Sequence, residues 1–265
     1  MQLHLINEKI KEEFKKDSLI HKLSFPELMK KYSISRWACW YWRKRLNLPK
    51  RVKGIDYYRP TKFPNEHLPP NLLSIIYGCL MGDGYIIPPL KNSYLVIGHS
   101  AKQLDYLKWK HTLFGKWAHR IRPINHPDGL QYRFQTPAHS DFTNLRKLLY
   151  PNPVGKRSEL AKIVEPIIPL LTLQSIAIWY GDDGCLGFTK DSPRVWFSTD
   201  GFNSTDLSLV IKLFQEKFGI SPHLLKRGKG YKIYFLVEDS RKFIRIIKPY
   251  LPKCMHYKVR FSKNE

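Results

Sequence analysis

Residues Ile76-Tyr-Gly-Cys-Leu-Met-Gly-Asp-Gly84 decide how this chain reads, because a second version, Ile176-Ala-Ile-Trp-Tyr-Gly-Asp-Asp-Gly184, returns one hundred residues later. Both copies read as the end of an apolar helix. Leu72, Leu73, Ile75, Ile76, Cys79 and Leu80 lead into the first, and Leu173, Ile176, Ile178, Trp179 and Tyr180 make up much of the second. Gly78 and Gly82 lie four apart, as do Ala177 and Gly181, so each helix has a face almost without side-chain bulk, and the two helices can pack backbone to backbone. Gly84 and Gly184 are expected to end the helices at C′ positions. The aspartate before each stands where the helix dipole disfavours a carboxylate by roughly 0.3–1 kcal/mol, so stability does not ask for it. If the small faces pair, Asp83 and Asp183 meet at one end of the interface, and two close carboxylates need a cation to stay ionised. Oxygen ligation with room for water and phosphate suits Mg²⁺.

The composition points to a polyanionic partner. The 265 residues carry 45 Lys+Arg against 22 Asp+Glu, a formal charge of +23, a pI near 9.8 and 14% aromatics. The four cysteines, Cys39, Cys79, Cys185 and Cys254, are too scattered for a zinc site or a disulfide framework. No run of 18 apolar residues and no signal-peptide pattern is present, so the expectation is a soluble intracellular protein, in a prokaryotic cytoplasm or an organelle matrix, with no membrane partner. His99, His111, His119, His126 and His139 lack the spacing of a ligand or general-base set and read as surface or strand residues.

Residues 1–50 form a helical unit. A short helix over Ile6 to Phe14 precedes a helix, tight turn and helix between Phe25 and Leu46, with Ser35 placed to cap the last. Cys39, Trp42 and Leu46 face a core with Leu28 and Ile34, and Arg36, Trp37, Tyr41, Lys44 and Arg45 point outward. This resembles a helix-turn-helix, whose second helix enters the major groove, although the turn has no glycine. Residues 51–69 have the proline content of a linker and scattered basic charge.

From Leu72 the chain repeats. The first half, 70–165, reads as a helix, strands at Gly84–Ile87 and Tyr94–His99, a helix from Asp105 to Trp117, strands at His119–Pro123 and Leu130–Thr136, and a helix from Asp141 to Tyr150. The second, 166–265, follows with a strand at Arg194–Thr199, a helix from Ser204 to Phe218, strands at His223–Lys226 and Tyr231–Val237, and a helix from Ser240 to Tyr250. Alternation sets Leu130, Tyr132 and Phe134 against Gln131, Arg133 and Gln135, and Ile233 and Phe235 against Lys232 and Tyr234. With Arg120, Arg122, Arg194, Lys226, Arg227 and Lys229, the polar side chains make faces able to contact bases and phosphates in a major groove.

The two motifs resemble those of the LAGLIDADG homing endonucleases, the first at Gly78, Leu80, Asp83 and Gly84, the second in the form W-x-x-D-D-G. The resemblance covers roughly residues 70–262 and implies an α+β fold: a pseudo-twofold duplicated αββαββα core with antiparallel DNA-binding sheets, here preceded by a small all-α helix-turn-helix domain. It implies that Asp83 and Asp183 bind metal, with Gly82 and Asp182 at the seventh motif positions contributing mainly backbone carbonyls. Pro249-Tyr-Leu-Pro-Lys-Cys-Met-His-Tyr-Lys258 resembles the family's closing P-x-x-M-x-Y-K element, which assigns Lys258 beside the metal; Lys156, or Arg157, would be its first-half counterpart, and Ser100 and Thr199 would orient water. The implied activity is site-specific cleavage of double-stranded DNA at a long asymmetric target by a monomer using Mg²⁺ or Mn²⁺, with Ca²⁺ binding but not supporting cleavage. The alternative is an intron RNA maturase on the same scaffold.

Overall fold

The computed structural model describes residues 8–21, 23, 25–48, 66–88, 91–150, 163–228 and 230–265, Arg227 by its backbone alone. The chain divides into two compact units, Met1–Pro60 and Thr61–Glu265.

Among its described residues the first unit contains three helices, α1 (Glu8–Leu19), α2 (Phe25–Tyr32) and α3 (Arg36–Arg45). Phe14, Leu28, Cys39 and Trp42 are fully buried between them, with the Phe14 and Trp42 rings edge to face at 5.2 Å. Ser35 caps α3, its Oγ accepting from the Ala38 amide at 3.1 Å. Between α2 and α3 the missing glycine is replaced by Ser33 at φ 51, a left-handed conformation that costs an L-residue about 1–2 kcal/mol. The three residues from Ser33 to Ser35 thus join α2 to α3 without a glycine.

The second unit is a duplicated α+β core. Its first half contains α4 (Pro70–Met81), β1 (Tyr85–Ile87), β2 (Tyr94–Ser100), α5 (Leu104–Phe114), β3 (Arg122–His126), β4 (Gly129–Gln135) and α6 (Ser140–Leu149). Its second half contains α7 (Leu173–Asp183), β5 (Gly184–Thr189), β6 (Ser192–Ser198), α8 (Ser204–Phe218), β7 (His223–Arg227), β8 (Gly230–Tyr234) and α9 (Val237–Ile247). Each half builds a four-stranded antiparallel sheet, in the orders β1-β2-β4-β3 and β5-β6-β8-β7.

Several boundaries differ from the sequence pattern, beginning with α1, which runs on to Leu19 where the pattern ends a helix at Phe14. β5 fills the stretch before Arg194 that the pattern passes over. Its two glycines weaken the alternation, and its turn to β6 uses Lys190 and Asp191 at φ 46 and 61, a primed hairpin turn without the usual glycine. β3 begins at Arg122 rather than His119, and Val237 opens α9 instead of closing β8.

The apolar positions of α4 and α7 explain why the halves hold together. Ile76, Cys79 and Leu80 and, opposite, Ile176, Ala177, Ile178, Trp179 and Tyr180 are buried to zero exposure in one core shared by both halves. Each large side chain so buried contributes roughly 1.5–3 kcal/mol. The two helices touch along Ser74, Gly78 and Gly82 on one side and Ser175, Ile178 and Asp182 on the other. A β-carbon on Gly78 would lie 2.6 Å from the Ser175 carbonyl oxygen, so the contact requires glycine. The second helix's small residues are used differently from the expectation. The space above Gly181 is filled by the Tyr106 ring of α5, whose hydroxyl donates to the Ile178 carbonyl at 3.0 Å.

Candidate active site and nucleic-acid faces

Both motif helices end where the seam ends, and the chain then turns directly into β1 and β5. Neither Gly84 nor Gly184 takes the positive φ of a C′ glycine; Gly184 is extended at φ −75, ψ 151. Their requirement is proximity, because a β-carbon would strike the Cys79 carbonyl oxygen at 2.7 Å and the Tyr180 carbonyl oxygen at 2.3 Å. The Gly84 amide donates to that Cys79 oxygen at 2.7 Å, which swings Asp83 out of the helix.

Asp83 is half exposed, while the Asp182 side chain is fully buried. The Asp83 amide donates to Asp182 Oδ2 at 3.3 Å, so the carboxylate set directly against Asp83 belongs to Asp182. Asp183, the last residue of α7, is partly exposed. The sequence suggests Asp182 acts through its backbone; its side chain also enters the cluster. Lys110 of α5 donates to Asp182 Oδ1 at 2.5 Å and to His99 Nε2 at 3.1 Å, and His99 Nδ1 stands 3.4 Å from Asp83 Oδ2.

Burial works against the Lys110 ammonium, but the carboxylate of Asp182, with help from Cys79 and Asp83, holds its pKa above the ordinary lysine value. Burial, reinforced by Lys110 and opposed by Asp182, pushes His99 down to about 4. The imidazole is therefore neutral near pH 7, and since an ammonium only donates, Nε2 accepts and the proton sits on Nδ1, facing Asp83. His99 is thus a buried member of the site and not a plain surface or strand residue. The buried face of α5, Leu107, Lys110 and Phe114 at i, i+3 and i+7, carried a readable signal: a lysine on a core stripe demands an anion.

Lys258 lies in the closing 3-10 turn, Lys253–Lys258. Its ammonium donates to the Gly181 carbonyl at 2.7 Å, at the negative end of α7. Burial lowers its pKa, while Asp182, Cys185, Asp183 and Asp83 oppose that shift. Lys156 and Arg157 lie outside the described residues. Thr199 donates its hydroxyl to the Tyr231 carbonyl at 2.6 Å, and Ser100 is exposed at the end of β2.

Asp83, His99 and Asp182 can each present one ligand atom with all three within 4.8 Å of one another. His99 is already engaged through both nitrogens, so the donors suited to a hard divalent cation are the carboxylates and the carbonyls at the helix ends. Two oxygen-rich helix ends, held in check by Lys110 and Lys258, fit such an ion.

The strand registers define the polar faces. In the first sheet Gly98, Arg133 and Arg122 lie side by side, as do Ser100, Gln131 and Ile124, and Val96 with Gln135; the opposite face buries Ile86, Leu95, Ile97 and Phe134. Arg120, just before β3, is exposed. In the second sheet Trp196 lies beside Tyr234, and Ser198 beside Lys232, on the face that also carries Arg194. Lys226 pairs with Tyr231, on the opposite face from Lys232, so the two lysines do not share one surface. The side chain of Arg227 and all of Lys229 lie outside the described residues. Trp196, which covers Gly187, adds an aromatic to this face. On α3 of the other unit, Trp37 stacks on Tyr41 at 5.3 Å, Arg45 lies over Tyr41, and Lys44 lies over Trp40; Trp37 and Trp40 are 68% and 52% exposed.

Known proteins resemble this chain in sequence and in fold. RecA of Mycolicibacterium flavescens is 30% identical over 202 residues, 70% of this chain and 45% of that protein. The cytochrome b mRNA maturase bI2 of Saccharomyces cerevisiae is 25% identical over 236 residues, 78% of this chain and 55% of that one. DNA endonuclease I-ChuI of Chlamydomonas applanata is 33% identical over 94 residues, 34% and 43% of the two chains. The chain spans about half the length of these curated relatives. The homing endonuclease I-WcaI, solved bound to its DNA recognition sequence, has the same fold, with a TM-score of 0.63 over 83% of this chain and 98% of that one at 23% identity. The LAGLIDADG DNA endonuclease family matches residues 73–243, both motifs and both sheets included, and the chain belongs to that family.

Proposed function

We propose that this protein is a site-specific double-strand DNA endonuclease that acts as a single chain with a divalent metal, Mg²⁺ or Mn²⁺. The observation that carries the reading is the meeting of two helix ends, one from each half, where Asp83 is set against Asp182, with Asp183 next along the chain, and from which the two polar-faced sheets begin. In this reading Asp83 and Asp183 hold the metal through carboxylates, and Gly82 and Asp182 add carbonyls. Bound metal would supply Lewis-acid help to the phosphate and lower the pKa of water.

The chain's own residues do the rest. Asp83 and Asp183 orient water, whose proton passes to bulk solvent as its oxygen bonds to phosphorus; the bond from phosphorus to a sugar oxygen breaks, and that oxygen takes a proton from solvent water. Lys258, desolvated and close to the carboxylates, stabilises the charge that builds on the phosphate, and the basic residue among Lys156 and Arg157 does so on the other side. Arg122, Gln131, Arg133, Gln135, Arg194, Lys232, Trp196 and Tyr234 contact the duplex, and α3 of the helical unit adds a second DNA-contacting module through Arg36, Trp37, Tyr41, Lys44 and Arg45. Because the halves differ, the target is asymmetric.

A second reading, an RNA maturase, draws support from the match to the cytochrome b mRNA maturase over most of this chain. One experiment separates them. The protein is incubated with a randomised duplex library and Mg²⁺, and in parallel with RNA transcribed across the sequence that surrounds its gene. Enrichment of one cut duplex, lost in Asp83→Asn, supports the endonuclease; splicing of the RNA with no duplex cut supports the maturase.

A further inference from the structure

The duplication keeps one offset through its motif helices and first strands. Tyr85 pairs with Val96 and Cys185 with Trp196, so positions one hundred apart are equivalent. The equivalence runs on into the packing helices, where Leu107 and Leu207, and Phe114 and Phe214, are all buried. It fails at several places around the site, three of which carry its charge and hydrogen bonding. Lys110 corresponds to Val210, Asp182 to Gly82, and His99 to Thr199.

These departures are coordinated. The added cation stands in the first half and the added anion in the second, and they meet across the seam at 2.5 Å with both side chains fully buried. The counterpart position, with Val210 and Gly82, does without either charge, so the fold does not require the pair. Desolvating an ammonium and a carboxylate is costly, and an apolar pair commonly serves stability as well. What Lys110 adds is its second hydrogen bond, to His99 Nε2, which fixes the ring with its Nδ1 proton toward Asp83. On the other side the Thr199 hydroxyl is spent on the Tyr231 carbonyl.

We propose that Lys110 is a positioning residue for one side of the centre only: paired to Asp182, it holds His99 against Asp83, so the two strands of a duplex are cut by non-equivalent sites through a nicked intermediate. This rests on the endonuclease reading, and the test separates the two.

The full-length protein is used throughout. Long-range ¹H–¹⁵N spectra of the metal-free protein, with His99→Gln to assign the ring, should show a single tautomer protonated on Nδ1. Lys110→Met and Asp182→Ala should each lower the unfolding midpoint by about 6 °C or more, because each leaves a buried charge alone. Lys110→Met with Asp182→Ala should recover most of that loss. Strand-specific end labels on the duplex selected above should show nicking before linearisation, with one strand at least about tenfold ahead. In His99→Gln, which leaves the Lys110–Asp182 pair intact, and in the double variant, one strand should slow about tenfold or more and the other by less than about threefold. A proton on His99 Nε2, equal strand rates in the wild type, or an unchanged strand ratio in both variants would overturn the inference. If the wild type cuts no duplex, the endonuclease reading falls and the strand inequality with it, while the tautomer and the unfolding midpoints still decide whether Lys110 positions His99.

Discussion

Gly82 faces Asp182 so closely that a β-carbon on the glycine would stand 2.6 Å from the aspartate's own Cβ. At Gly78, one turn earlier, the obstacle is the Ser175 backbone, which cannot swing aside as a side chain can. Gly78→Ala is therefore expected to destabilise the core by about 1–3 kcal/mol through overpacking. Urea titrations should show a lower midpoint with an unchanged slope. A midpoint within error of the wild type would mean that the helices are not in backbone contact.

The two exposed carboxylates should separate binding from cutting. Asp83→Asn and Asp183→Asn are each expected to abolish double-strand cleavage while affinity for the selected duplex, measured without cleavage, stays within a few-fold. Retained linearisation by both variants would refute the assignment.

Lys258 reaches the Gly181 carbonyl with most of its ammonium desolvated. Lys258→Met keeps the stem and removes the charge, and should lower the single-turnover cleavage rate by about 10²–10³ with little change in binding. A loss of binding without loss of rate would make it a phosphate anchor.

Arg133 lies between Gly98 and Arg122 on the first polar sheet face. If it reads a base edge, Arg133→Ala should cost about 1–3 kcal/mol and relax preference at one or two target positions. If it meets a phosphate, the loss should be uniform across sequences and the salt dependence of binding should flatten by about one counterion. Selection on a target library at two salt concentrations tells these apart.

In the helical unit, Asp17 is buried and accepts from Tyr32 Oη at 2.6 Å, with the Lys31 ammonium at 2.7 Å. Burial raises its pKa, but the bonds from Lys31 and Tyr32 outweigh it and hold the value below the usual 3.8. The folded state thus binds this proton less readily than the unfolded chain. The stabilisation is present above pH 3.8 and fades as pH falls through the lower folded value. Asp17→Asn should cost about 1.5–3 kcal/mol near neutrality, and the gap from wild type should close in acid. A constant gap down to pH 2 would show that the carboxylate's charge contributes nothing.

Much of this architecture was legible because its signals were periodic or repeated. The apolar stripes of α4 and α7, the alternation around Phe134 and Ile233, and the Ser35 cap appear where the pattern puts them. β5 was not legible, since Gly184 and Gly187 blur its alternation. The seam was only half legible: glycines announce that backbones approach, but not that Tyr106 of the other half would fill the space over Gly181. His99 escaped because it is unremarkable by itself, and Lys110, though its place on the core stripe of α5 calls for an anion, does not say which one. Their meaning lies in a contact between strand, helix and the opposite motif, and no local pattern encodes a contact of that range.

The cross-seam ion pair also decides what this chain can assemble with. Two copies of the first half would bury Lys110 opposite a second Gly82, with no carboxylate to receive it. Two copies of the second would press one Asp182 against another beside Val210, with no cation between them. Each half therefore rejects its own twin and accepts the other, and a gene cut in two at the junction should yield fragments that reassemble only as an unlike pair. The duplication has become a lock: a symmetric partnership would leave either half with a buried charge that nothing answers.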